Sequence, residues 1–121
     1  MAIPLLICDD SNMARKQVAR ALPEGWDVDV TFATNGREGI EAIRGGKGEM
    51  VFLDLTMPEM DGYQVLEAVK FEGLDAMIIV ISGDIQPDAY DRVTKLGALD
   101  FIQKPVNPEK LLQVLHKFGL I

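Results

Sequence analysis

One cysteine, one histidine and one tryptophan are spread over 121 residues, and basic side chains are outnumbered 12 to 19 by acidic ones. Each shortage excludes something. A lone cysteine cannot form an internal disulfide, so the chain is not a disulfide-stapled scaffold. Cys8 lies in an apolar run and is expected to be a buried, unreactive thiol. With His116 as the only histidine, there is no histidine/cysteine cluster to bind a soft or borderline metal. His116 falls in the last amphipathic segment and is expected on its surface. No basic segment followed by a long apolar one opens the chain, so no signal peptide is expected. The apolar runs are of strand length, too short to span a bilayer. The net charge of −7 argues against a general basic surface for nucleic acid. These exclusions leave one domain over residues 1–121, expected to be cytoplasmic, with no membrane partner and no direct nucleic-acid binding.

What is present is a regular alternation. Apolar runs at 4–8, 28–32, 50–53, 77–81 and 99–102 predict five strands, and helical patterns separate them. Gly36, Gly39, Ile40 and Ile43 share one face of the second pattern, and Leu111, Val114, Leu115 and Phe118 form a stripe in the last. Leu112 lies at the margin of that stripe and is expected to be exposed. Asn35 with Glu38, and Asp61 with Gln64, have capping-box spacing, in which each side chain satisfies an orphan amide. Asn107-Pro108 reads as an N-cap and first helical residue. Either Asp10 or Ser11 can cap the first helix, and Gly45-Gly46 and Gly73 can close the second and third.

Five strand–helix units in series predict an α/β fold, a parallel sheet with helices on both faces. The first, third and fourth runs are nearly all apolar, as expected of strands covered on both sides. The second alternates and the fifth carries Asp100 and Gln103, which marks both as edges. The doubly wound order 2-1-3-4-5 fits. Ligands in such sheets bind outside the carboxyl ends of the strands, where the winding reverses.

That rim is where the informative residues fall. Asp9 and Asp10 follow the first run, Asp54 the third and Ser82 the fourth, while Lys104-Pro105 comes just after the fifth. Two unit charges about 4 Å apart interact by roughly 4 kcal/mol at an effective dielectric near 20. Three carboxylates at one rim therefore take up protons or bind a cation. Their all-oxygen donor set suits a hard ion, Mg²⁺ first and Mn²⁺ as a substitute. The Ser82 hydroxyl can donate to an anionic oxygen, Gly83 permits close approach, and Lys104 supplies a compact positive charge. Together they make a pocket for a tetrahedral anion, in which Asp54 can attack phosphorus to give an acyl phosphate.

In these residues, and in the stretch Met57-Pro58-Glu59-Met60-Asp61-Gly62, the chain resembles the receiver domains of bacterial two-component response regulators, chemotaxis-type ones included, over essentially its full length. The resemblance implies a flavodoxin-like five-unit fold and a phosphorylation-activated switch, not an enzyme beyond its own phosphorylation and dephosphorylation. It implies that a histidine kinase phosphorylates Asp54. Asp10, Asp54 and the backbone carbonyl of Thr56 would hold Mg²⁺, with Asp9 acting through a water. Ser82 and Lys104 would grip the phosphoryl group, Phe101 would be the switch aromatic, and Pro105 would be structural. Thr56 and Asp84 occupy positions where the lifetime of the phosphate is tuned. The face made by the fourth helix, fifth strand and fifth helix would meet a target protein or an attached output domain, as a monomer or a phosphorylation-dependent dimer. Phe101 has no hydroxyl, so no phenolic hydrogen bond can hold it.

Three other readings fit less well. Aspartate-nucleophile phosphatases of the haloacid-dehalogenase type resemble this site, but place a second aspartate where Thr56 stands. Flavin-binding modules on the same fold carry a hydroxyl- and glycine-rich phosphate loop after the first strand, whereas Asp9-Asp10-Ser11-Asn12 would repel a phosphate unless a metal were bound. A degenerate receiver used only as a scaffold would not need the full set of acids, hydroxyl and lysine.

Overall fold

The computed structural model describes residues 2–83 and 86–121. Its strands are β1 (Ile3–Cys8), β2 (Val28–Ala33), β3 (Met50–Leu53), β4 (Met77–Ser82) and β5 (Asp100–Gln103). The helices are α1 (Asn12–Ala21), α2 (Gly36–Arg44), α3 (Gly62–Glu72), α4 (Ala89–Lys95) and α5 (Pro108–Lys117). All pairings are parallel and the order is β2-β1-β3-β4-β5, as the run patterns predict.

Strand alternation sorts the core into two layers, because successive side chains point to opposite faces. Leu6, Cys8, Val51, Leu53, Ile78 and Val80 face one way and bury Ile40 and Ile43 of α2, Val65, Leu66 and Val69 of α3, and Val93 of α4. Leu5, Ile7, Met50, Phe52, Ile79 and Ile81 face the other way and bury Val18 and Ala21 of α1 with Leu111 and Leu115 of α5. Three helices thus cover one face and two the other. The winding reverses between β1 and β3.

The edges depart from the sequence reading in one respect each. On β2, Asp29 is exposed as expected, but so is Phe32. On β5, Asp100 is buried rather than solvated. Its carboxylate accepts from its neighbour's amide, Phe101 N–H, at 2.8 Å and lies 3.3 Å from Lys117 Nζ on α5. Paired in this way, an acid can sit inside an edge strand.

The caps follow the sequence closely. Asp61 and Gln64 form a full capping box at α3. At α2, Asn35 accepts from the Glu38 amide at 2.8 Å, but Glu38 reaches past Asn35 to the Thr34 amide (2.7 Å) and hydroxyl (2.6 Å). The reciprocal half of that box is therefore displaced by one residue. Ser11, not Asp10, caps α1. Asn107 caps α5 with Pro108 in the first turn, and Gly73 closes α3 at φ 65°.

Candidate functional site

The rim of the sheet is held in register one residue beyond the strands. Asp9 N–H donates to Ala33 C=O at 3.0 Å, Asp54 N–H to Cys8 C=O at 2.9 Å and Lys104 N–H to Ser82 C=O at 2.9 Å. Each ladder bond fixes where a functional side chain leaves the backbone. The loop after Asp54 is held just as tightly. A methyl group on Gly62 would meet the Asp54 carbonyl and lie 2.8 Å from Leu55 Cα, so α3 can start this close to the site only with glycine there. The Lys104–Pro105 peptide bond is cis.

Four of the expected residues converge here. Asp9, Asp10 and Asp54 each bring a carboxylate oxygen within 4.8 Å of the others. Lys104 Nζ lies 2.9 Å from Asp9 Oδ2 and 3.5 Å from Asp54 Oδ1. Asp9 is 3% and Asp54 5% exposed, whereas Asp10 is open to solvent. The second oxygen of Asp9 accepts from the Ser11 amide at 2.9 Å.

Burial and the charge of Asp9 push the Asp54 carboxyl up from its ordinary 3.8 to about 6, against Lys104 and the Leu55 amide, which both favour the anion. Burial disfavours the Lys104 ammonium, yet its hydrogen bond to Asp9 and the charges of both acids outweigh that and raise its pKa. Burial, with Asp9 and Asp54 behind it, pushes the Cys8 thiol to about 12. Cys8 is the inert thiol expected.

A cavity of about 560 Å³ opens over the rim, lined by Asp10, Asp54, Thr56, Ser82, Gly83, Gln86 and Lys104. Thr56 is exposed at its wall and the Ser82 residue is buried at the end of β4. Phe101 is half-buried on β5 and packs against the layer that includes Val93 and Ala98. Pro105 is exposed beside Lys104. Asp84 lies outside the described residues. Another cavity, of about 390 Å³, lies between α3 and α4 at the opposite end of β4 and contains none of these groups.

Two residues of the site escaped the sequence reading. Gln86 reaches the cavity from the segment before α4, and nothing in its spacing points there. Arg15, one turn into α1, donates from Nη1 to the Asp9 carbonyl at 2.7 Å. Its spacing of six from Asp9 and five from Asp10 was the available signal.

A buried acid beside a lysine and two further acids, at the switch point of a doubly wound parallel sheet, defines a class of domain with an acidic rim cluster that could hold a metal ion next to a fixed positive charge. The chain matches the family model of the response regulator receiver domain over residues 5–116 and belongs to that family. It is thus a phospho-accepting signalling switch. It is 35% identical to the chemotaxis protein CheY of Thermotoga maritima, covering 93% of this chain and 94% of that protein. It is 38% identical to protein-glutamate methylesterase/protein-glutamine glutaminase 3 of Geobacter sulfurreducens, over 95% of this chain but only 32% of that much longer protein. Among solved structures, the signal receiver domain of the putative response regulator NarL of Mycobacterium tuberculosis superposes with a TM-score of 0.86 at 27% identity, covering 98% of this chain and 97% of that one. No helix among the described residues is long and apolar enough to cross a membrane.

Proposed function

We propose that Asp54 is the residue that accepts the phosphoryl group, from the phosphohistidine of a partner kinase, and that Mg²⁺ is held by Asp10, Asp54 and the Thr56 backbone carbonyl, with Asp9 acting through a water. One observation carries the reading. The Asp54 carboxylate, buried and 3.5 Å from Lys104, opens on the cavity that Asp10, Thr56 and Ser82 also line. The donor set fits a hard dication, being all oxygen, with two carboxylates beside a neutral carbonyl. Asp9 gives its two oxygens to Ser11 N–H and Lys104, which leaves Asp10 and Asp54 for direct ligation. Bound there, Mg²⁺ would neutralise charge on the transferring oxygens.

The residues of this chain do the rest. With a pKa of about 6, Asp54 is mostly ionised at neutral pH, as a nucleophile must be. Its oxygen forms the bond to phosphorus while the bond from phosphorus to the imidazole nitrogen breaks, the electron pair leaving with the imidazole. Lys104 and the Ser82 hydroxyl receive the phosphoryl oxygens. Those bonds exist mainly in the phosphorylated state, so they are the differential energy that moves the switch. Phe101, packed against the layer beneath α4, turns as Ser82 is drawn inward, which alters the α4-β5-α5 face. That face meets a target protein or an attached output domain. Thr56 and Asp84 set the lifetime of the phosphate, and Pro105 fixes the turn that presents Lys104. In this reading residues 1–121 form one cytoplasmic receiver domain, monomeric or dimerising on phosphorylation, with Mn²⁺ able to replace Mg²⁺. It catalyses nothing beyond its own phosphorylation and dephosphorylation.

Intact-mass spectrometry after incubation with Mg²⁺ and acetyl phosphate tests this. A labile gain of one phosphoryl group, about 80 Da, is expected in the wild type and absent in Asp54→Asn and in EDTA. A gain that survives Asp54→Asn would overturn the assignment.

A further inference from the structure

β1 ends at Cys8 and α1 begins at Asn12, so the peptide joining Asp9 to Asp10 belongs to neither element. Among the described residues, no backbone amide donates to its carbonyl from a strand or a helix. Arg15 supplies the donor, Nη1 to Asp9 C=O at 2.7 Å, while Nη2 of the same guanidinium lies 3.3 Å from Asn12 Oδ1. On the other side of the turn, Ser11 N–H holds the Asp9 carboxylate and the Ser11 hydroxyl accepts from Ala14 N–H at 3.2 Å. Asp10 differs from Asp9. Among the described residues, no hydrogen bond or ion pair holds its carboxylate. Its place beside Asp54 is set by its backbone, which is held by the Asp9 amide on Ala33, the Ser11 amide on the Asp9 carboxylate and, at the Asp9 carbonyl, by the Arg15 guanidinium.

We infer that Arg15 is a positioning residue for the cation site: its guanidinium clamps the Asp9 carbonyl and so keeps the Asp10 carboxylate within reach of Asp54. The inference rests on the reading of Asp10 and Asp54 as direct ligands. It makes an unusual demand on sign. Arg15 is a cation beside a cation site, so by charge alone its removal would tighten the binding of a dication. By positioning, its removal weakens it, as loss of an orienting hydrogen bond does at metal sites.

The experiment is a calorimetric titration of the full chain with Mg²⁺, with unfolding followed in EDTA for each variant. Arg15→Met keeps the apolar stem and removes every donor. Arg20→Ala removes a similar charge from the far end of α1 and is the control. The expected result is Mg²⁺ affinity weaker by about tenfold in Arg15→Met and changed by less than about twofold in Arg20→Ala. Arg15→Lys keeps the charge but not the two-nitrogen fork, and its affinity is expected between those of wild type and Arg15→Met. If Arg15→Met does not fold, Arg15→Lys decides: charge alone predicts no change, and an unchanged affinity overturns the inference. Binding as tight as wild type, or tighter, in folded Arg15→Met overturns it as well. A wild type that takes up no Mg²⁺ at millimolar concentrations would instead overturn the metal reading, and the role of Arg15 with it.

Discussion

Lys104 is closer to Asp9 than to Asp54: its Nζ lies 2.9 Å from the one carboxylate and 3.5 Å from the other. The lysine therefore serves two buried acids at once, anchored on the one that is not the proposed acceptor. A ligand arriving at Asp54 can draw the ammonium toward itself without leaving Asp9 alone, because the Ser11 amide stays on Asp9.

Removal of that shared cation leaves two buried carboxylates facing each other. Lys104→Met is expected to cost about 2 kcal/mol of stability in EDTA, less than for a fully buried pair because the lysine is partly solvated. Added Mg²⁺ is expected to restore more stability to the variant than to the wild type. Urea unfolding with and without Mg²⁺ measures both, and equal restoration would argue against a shared charge role.

The raised pKa of Asp54 has a definite sign in stability. Folding lifts it from 3.8 to about 6, so the folded chain binds the extra proton between those values. The stabilisation is fully present below pH 3.8 and is lost as the pH rises through about 6. Asp54→Asn does not suffer that loss. In EDTA the variant is expected to be more stable than wild type at pH 7.5, by about 3 kcal/mol at most, with the gap closing toward pH 4. Thermal unfolding over a pH series reads it; a gap that does not change with pH would contradict the assigned cause.

Gly62→Ala places a methyl group against backbone at Asp54 and Leu55 rather than against a flexible side chain. Relief requires the start of α3 to move, so a loss of about 1–3 kcal/mol is expected. Because the Asp54 carbonyl is part of the obstruction, phosphorylation by acetyl phosphate is expected to slow in the folded variant. Normal stability with normal phosphorylation would mean that the loop is softer than its packing implies.

Glu59, in the loop between Asp54 and α3, is the non-glycine residue of the described chain with positive φ, at 65°. The left-handed conformation costs an ordinary residue roughly 1–2 kcal/mol, against about 0.5–1 kcal/mol for the extra freedom of glycine in the unfolded chain. Glu59→Gly is expected to raise stability by about 0.5–1 kcal/mol. Denaturant midpoints test this, and a lower midpoint would show that the Glu59 side chain contributes a contact worth more than the strain.

Local chemistry made much of this molecule legible in advance. The apolar runs, the alternation of β2 and the caps at Asn35, Asp61 and Asn107 are short-range features, each decided within a few residues. They lead to five strand–helix units, and handedness and burial then restrict the strand order. Asp9, Asp10, Asp54, Ser82 and Lys104 were legible for the same reason, since a residue that ends a parallel strand must emerge at the common rim.

Tertiary structure decided what depends on distance across the chain. That Asp100 is buried follows from Lys117 on α5 reaching it, 17 positions away. Lys104 lies nearer Asp9 than Asp54 although β5 is two strands from β3 and three from β1, so the reach of the side chains across the rim, and not strand order, sets that preference. Arg15 reaches the Asp9 carbonyl because α1 packs against β1, and Gln86 joins the cavity wall from the segment before α4. Periodicity states which face of a helix is buried, but not which long polar side chain on its margin bends back to an unpaired carbonyl. That is settled by donors and acceptors meeting within about 3 Å, a condition written only in the folded chain.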